Sequence, residues 1–191
     1  MGADWCARRV LLLQGPMGPF FGRLADELRA DGIAVRHVLF NAGDSVFHRG
    51  DGVPYRGTLA DWPSFFERLV TDERIDAVML FGDMRPIHRA VIPLARARGI
   101  AVYVFEEGYF RPNYITVERD GVNANSSLPR DVAVYREALH ALPEPEAPRD
   151  VGPAFGRMGW YATVYSIAMT FGAFLYPRYA HHRPLNAFAH A

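Results

Sequence analysis

The chain contains no lysine; all 21 of its basic residues are arginine. That excludes a lysine Schiff base and a Walker-type lysine, and with the latter the P-loop class. Cysteine is nearly absent too. A lone Cys6 excludes a disulfide framework or a cysteine-based zinc site within one chain, and fits a reducing cytoplasm. There is no net charge, because 21 acidic residues balance the 21 basic ones. This argues against a broad basic face that reads nucleic-acid phosphates. Val10-Leu11-Leu12-Leu13 is too short an apolar run for a signal peptide. The histidines show no metal-ligand spacing, so no metal is expected. No Gly-x-Ser-x-Gly elbow occurs, which sets serine hydrolase chemistry aside.

What is present is a chain of 191 residues with 50% hydrophobic content, enough for one good core and not two large ones. Short apolar runs alternate with helical spacing. Strands are expected at Arg9 to Gln14, Ile33 to Phe40, Asp76 to Phe81 and Ile100 to Phe105. Helices are expected at Phe20 to Ala30, from Asp61 as N-cap with Pro63 in its first turn, and at Ile87 to Arg98. After Asn41-Ala42-Gly43-Asp44, a polar, Gly-rich stretch runs to Thr58, with no helix or strand assigned to it. This alternation predicts an α/β fold, a Rossmann-like parallel sheet with helices on both faces.

In a parallel sheet the polar strand ends share one edge. Gln14-Gly15, Asn41 to Asp44, Gly82-Asp83 and Glu106-Glu107 would converge there. Ligands of open α/β sheets bind at that edge. Gln14 to Pro19 resembles a phosphate-cradling glycine loop. It lacks the three-glycine spacing, and Pro16 and Pro19 remove two donors. A close approach to a substrate or a facing domain suits it better. His88 can serve as general acid or base, or cap its helix. Adjacent carboxylates on a strand alternate faces, so one of Glu106 and Glu107 can enter a crevice while the other anchors the turn. Gly108 permits a sharp turn, and Arg111 can grip a carboxylate or phosphate at two points. The same residues could also form a solvated acidic turn. As a site, paired carboxylates with an arginine and a Gly-rich cleft suit sugar transfer, where a carboxylate stabilises or traps an oxocarbenium-like centre.

Farther on, Tyr114 to Asn123 reads as a hairpin around Arg119-Asp120-Gly121. Asp131 to Leu142 reads as a helix. The expected domain organisation is 8–142 as a Rossmann-like domain, 143–152 as a Pro-rich linker, and 153–191 as an apolar aromatic helix beginning a connection onward. Met158 to Pro177 carries no charge. It reads first as a buried or interfacial helix and second as a membrane span, with packing on a domain outside this chain as the plainer option.

Several segments resemble the capsular polysaccharide biosynthesis proteins of the KpsS/LipB type. They are Gln14-Gly15-Pro16, Phe40 to Asp44, Gly82 to His88, Phe105 to Pro112, Ile115 to Glu118 and Gly121 to Ser126. The resemblance implies a retaining glycosyltransferase that moves β-Kdo from CMP-β-Kdo to a lysophosphatidylglycerol acceptor. It implies no cofactor beyond that donor, and a peripheral place at the cytoplasmic face of the inner membrane, with other capsule synthesis or export proteins as possible partners. It also implies the N-terminal, acceptor-side half of a GT-B fold. Related enzymes carry Glu-Asp-Gly at Glu106-Glu107-Gly108, which puts their catalytic Asp on Glu107. Asn41, Asp44, Asp83, Arg85, Arg111 and Asn123 would join Gly15 and Pro16 as substrate-binding, with Glu106 and His88 beside Glu107 as catalytic. Family members are about twice as long, and their CMP-binding His-Pro and Gln-Pro dipeptides have no counterpart here. A form lacking the nucleotide-binding domain is therefore expected. A non-catalytic role in capsule export or assembly is the alternative.

Overall fold

The computed structural model describes residues 7–108, 113–143, 147, 151–152 and 154–180. Arg111 and His181 to Ala191 lie outside the described residues. Six strands form one sheet: β1 (Arg9–Leu12), β2 (Ala34–Leu39), β3 (Gly52–Pro54), β4 (Ala77–Phe81), β5 (Ala101–Glu107) and β6 (Ile115–Arg119). Their order is β3-β2-β1-β4-β5-β6. The first five run parallel, and β6 closes the edge antiparallel to β5. The chain winds outward from β1 in one direction to β3, then returns and winds the other way from β4. The strand order therefore reverses between β1 and β4, where an α/β sheet opens a crevice at its carboxyl edge. This is a Rossmann-like α/β fold.

The central strands are apolar throughout because helices cover both faces. Side chains of period two divide them between two cores. On one face, Val10, Leu12, Met79 and Phe105 meet Phe21, Ala25 and Leu28 of α1 (Phe20–Ala30). On the other, Leu11, Leu13, Leu80, Val102 and Val104 meet Trp62, Phe66 and Val70 of α3 (Trp62–Asp72). Trp62 is fully buried, and its indole N–H donates to the Ile87 carbonyl at 2.7 Å. That bond satisfies the polar end of the largest core side chain.

The structure departs from the sequence reading in five places. The Asn41 to Thr58 stretch contains α2 (Ala42–Phe47) and β3. Its helix starts on a capping box in which Asn41 accepts from the Asp44 amide and Asp44 from the Asn41 amide. The expected helix at Ile87 to Arg98 is two short ones, α4 (Pro86–Arg89) and α5 (Ile92–Ala97). Pro93 has no N–H to offer the preceding turn, so it sits instead in the first turn of a new helix. The hairpin partner of β6 is β5, with Glu107 opposite Ile115, and residues after Gly121 enter a 3-10 turn at Asn123–Asn125. Asp61 does not cap α3; its carboxylate accepts from Thr58. The helix expected at Asp131 to Leu142 is shorter, α6 (Val132–Leu139), capped by Asp131 through the Ala133 amide.

The aromatic segment forms α7 (Ala154–Phe171), which packs across α2. Gly43 makes this approach possible, because a Cβ there would stand 2.8 Å from the Tyr165 ring. Tyr165 and Met169 are buried, and the Tyr165 ring stacks on Phe47. Among the described residues, no helix is long and apolar enough to cross a membrane.

Candidate functional site

Two polar assemblies occupy the carboxyl edge of the sheet. The first is closed. Gln14, the only glutamine of the chain, is buried just past β1. Its amide nitrogen donates to Asp44 at 3.2 Å and to the Tyr179 hydroxyl at 3.1 Å. Asp44 also accepts from the Phe40 amide at 2.9 Å and from the Tyr165 hydroxyl at 2.7 Å. Asn41 donates to the same hydroxyl at 2.7 Å. Burial pushes the Asp44 carboxyl up from its ordinary range, against these donors, which favour its ionised form. Burial, followed by the field of Asp44, raises the Tyr165 phenol. The network ties the ends of β1 and β2 to α7.

The second assembly is open. A groove of about 680 Å³ runs along the ends of β4 and β5, lined by Pro16, Gly82, Arg85, Glu106, Glu107 and Met158 among others. Glu106 is half-buried and Glu107 exposed. By period two, Glu107 shares the face of Phe105, while Glu106 shares that of Val104. Both still border the groove, because it wraps over the end of the strand. One Glu106 oxygen accepts from the Glu107 amide at 3.0 Å, which steadies the turn. Gly82, with φ of +72°, opens space beside the other oxygen. The left-handed turn is cheap only for glycine.

Arg85 joins the two assemblies. Its Nη1 donates to Gln14 Oε1 at 3.1 Å and to the Gly15 carbonyl at 3.0 Å. Burial pulls its pKa down, while the fields of Tyr165, Asp44, Tyr179 and Glu106 oppose that pull. The groove can therefore offer two carboxylates and a guanidinium to a polar substrate. Among the described residues, no group of three or more His, Cys, Asp or Glu could hold a metal ion.

Among the described residues, the expected site residues separate into three groups, with Asn123 apart from them. Pro16, Arg85, Glu106 and Glu107 meet in the groove, with Gly15 at its back through the bond to Arg85. Asn41 and Asp44 are buried in the closed network. Asp83 and His88 are buried beneath the β4 turn. Asp83 accepts from the Val122 amide and from Asn125, and His88 Nδ1 bonds the Gly82 carbonyl at 2.6 Å. Asn123 is exposed at a left-handed position, φ +54°, and does not line the groove. The tyrosines Tyr165 and Tyr179 were absent from the expected set. Their signal is weak: Tyr165 is one hydroxyl in an aromatic run that reads as apolar, and Tyr179 lies just beyond that run, after Arg178.

A model of the family described as capsule polysaccharide biosynthesis protein matches residues 76–191. The chain belongs to that family. The match takes in β4, β5, the acidic turn and α7. The chain is 42% identical over 186 residues to the capsule polysaccharide modification protein LipB of Neisseria meningitidis serogroup B, covering 95% of this chain and 44% of LipB. It is 39% identical over 181 residues to the capsule polysaccharide export protein KpsS of Escherichia coli, covering 94% and 46% respectively. The chain thus spans under half the length of these capsule relatives. Among solved structures, WbmH of Bordetella bronchiseptica matches at 19% identity and a TM-score of 0.39, over 49% of this chain and 36% of WbmH. UDP-glucose 4-epimerase of Thermotoga maritima matches at 14% and 0.40, over 88% of this chain and 52% of the epimerase. Neither likeness is strong enough to bear on the site, and the fold rests on the strand order itself.

Proposed function

We propose that this capsule family member supplies the acceptor-side half of a retaining Kdo transferase, acting on CMP-β-Kdo and a lysophosphatidylglycerol acceptor. The observation that carries the reading is the groove at the strand-order reversal, lined by Glu106, Glu107 and Arg85. Glu107 is the proposed nucleophile. Its carboxylate adds to the anomeric carbon as the bond from that carbon to the CMP phosphate oxygen breaks, and CMP leaves with the electron pair. An acceptor hydroxyl then displaces the carboxylate and loses its proton to a base, so two inversions preserve configuration. Arg85 holds negative charge near the reacting centre. Arg111 is proposed to share that role.

The nucleotide is proposed to bind a part of the enzyme that these residues do not supply. A peripheral place at the inner membrane is proposed from α7, whose outer face exposes Trp160, Ile167 and Phe171, with Arg157 near the start of the helix. The test has two arms. Residues 1–191 should show no tight, saturable binding of CMP by calorimetry. A full-length relative should transfer Kdo to the lysophospholipid with retention, read by the anomeric signals of the product. Tight CMP binding by the chain alone, or inversion in the product, would reject the scheme. Support of capsule export by a transfer-dead protein would favour the non-catalytic reading instead, which the export name of the Escherichia coli relative suggests.

A further inference from the structure

Behind Arg85, on the side away from the carboxylates, lies a separate recess of about 190 Å³. Phe40 and Tyr55 contribute its apolar wall, Gln14 and Tyr179 its polar atoms, and Arg85 and Arg178 its charges. None of the residues lining it is acidic. Arg178 is exposed at the rim. Tyr55 and Asp61 feel its field, but among the described residues no hydrogen bond or ion pair holds it. Arg85 is half-buried, and the contacts of its Nη1 are to a neutral amide and a carbonyl. Two guanidiniums thus border one small cavity without a carboxylate in its lining. Of the two, Arg85 is the one partly drawn from water, which is costly without a directly bonded counter-charge, and a guanidinium matches carboxylate or phosphate oxygens two at a time. The aromatic wall suits the C–H face of a polyol rather than more charge. At this volume the recess takes a compact group and is too small for a nucleotide.

We propose that the recess is an anion subsite, which takes a phosphate or carboxylate borne on a compact polyol between Arg85 and Arg178. Arg85 and Pro86 line both the recess and the groove of Glu106 and Glu107. A molecule anchored by its anion in the recess would lie one side chain away from the two carboxylates. Which substrate group sits there rests on the transfer reading above; the anion binding does not.

The test uses residues 1–191 with no donor sugar, so it stands or falls independently of Kdo transfer. Titrations of glycerol 3-phosphate and of glucuronate are followed by calorimetry, with neutral glycerol as the control. At least one anion should bind saturably with a Kd of about 1 mM, and glycerol should not. Arg178→Gln should weaken that binding about tenfold, the effect of losing one charge-assisted contact. Its melting temperature should barely move, because among the described residues no hydrogen bond or ion pair holds this exposed side chain. The tighter probe identifies the source: a phospholipid headgroup if phosphate, an acidic sugar if carboxylate. If neither anion saturates by about 20 mM, far above that Kd, the proposal is overturned. Equal affinity in the wild type and Arg178→Gln would overturn it as well.

Discussion

Asp44, in α2 just past β2, and Glu107, at the end of β5, share the carboxyl edge of one sheet, yet their surroundings are opposite. Asp44 is buried among an amide side chain, a phenol and two backbone N–H groups. Glu107 is exposed above a groove. A carboxylate with every lone pair occupied has no capacity left for a substrate, and its removal strands its donors. A carboxylate facing solvent contributes less to the fold than a buried, fully bonded one. The difference assigns stability to the Asp44 assembly, while the proposed chemistry falls to the Glu106–Glu107 groove. Substitutions at the two places should therefore fail in different assays.

The largest effect should come from the groove. In a full-length relative carrying the equivalent change, Glu107→Gln keeps the shape and removes the charge. Turnover should fall by roughly three orders of magnitude or more, as expected when a nucleophile is lost. The melting temperature should stay put. Glu106→Gln should cost less, since its oxygen already serves the Glu107 amide. Kdo transfer rates for both variants decide the matter. Near-normal turnover in Glu107→Gln, with the loss in Glu106→Gln, would exchange their roles.

The closed network should respond the other way. Asp44→Ala leaves Gln14, Tyr165 and two amides without their acceptor, and should cost about 4 kcal/mol in urea unfolding. Tyr165→Phe removes one hydroxyl and should cost about 1–2 kcal/mol. If both variants unfold at the wild-type midpoint, α7 is not anchored through Asp44.

Much of this was legible in the chain, and the illegible parts share a cause. The strand–helix alternation, the polar strand ends and the acidic turn all follow from local pattern, and the strands at Val10, Val78 and Val102 lie where their apolar runs put them. The pattern does not say which polar strand end is covered. Asp44 and Glu107 look alike as letters; the cover comes from Tyr165, 121 residues beyond Asp44. In the same way His88 reads as a candidate acid or base, yet its burial and its bond to Gly82 depend on how α4 folds under the β4 turn. Long-range contacts decide exposure, and exposure separates a structural carboxylate from a surface one.

Acid should act on the buried side of the molecule through His37. Its Nε2 bonds the Leu13 carbonyl at 3.1 Å, while Nδ1 is buried without a partner. The neutral ring satisfies one bond, and a second proton would face no acceptor. Burial, aided by the nearby His48, lowers its pKa to about 4. A folded-state pKa below the unfolded value gives stability that is present above the unfolded pKa and lost as pH falls through the folded one. Between about pH 6.5 and 4, His37 should therefore remove up to about 3 kcal/mol of stability. Asp44 has the opposite sign, because its raised pKa favours the fold on the acid side. Urea midpoints at pH 7 and pH 4.5 should differ less in His37→Gln than in the wild type. An unchanged difference would mean that another group carries the acid response.

The smallest effect on stability should come from the outer face of α7, and it sharpens the same contrast between closed and open surfaces. Tyr161, Tyr165 and Met169 face the domain, whereas Trp160, Ile167 and Phe171 are 65%, 53% and 77% exposed. With Val164, the exposed three fall at intervals of four, three and four residues, one stripe down the helix. A polar residue there loses almost no buried area, so Trp160→Gln with Ile167→Gln should alter stability by no more than about 0.5 kcal/mol per site. Tyr165→Phe, one turn away on the opposite face, should cost more despite being the milder chemical change. If the stripe meets a bilayer, the double variant should lose co-sedimentation with vesicles containing anionic lipid, while circular dichroism and melting stay unchanged. Arg157 at the start of the stripe would favour anionic over zwitterionic vesicles. Equal sedimentation of wild type and double variant would remove α7 as the membrane contact, and a large loss of stability would show that the stripe is already covered in solution.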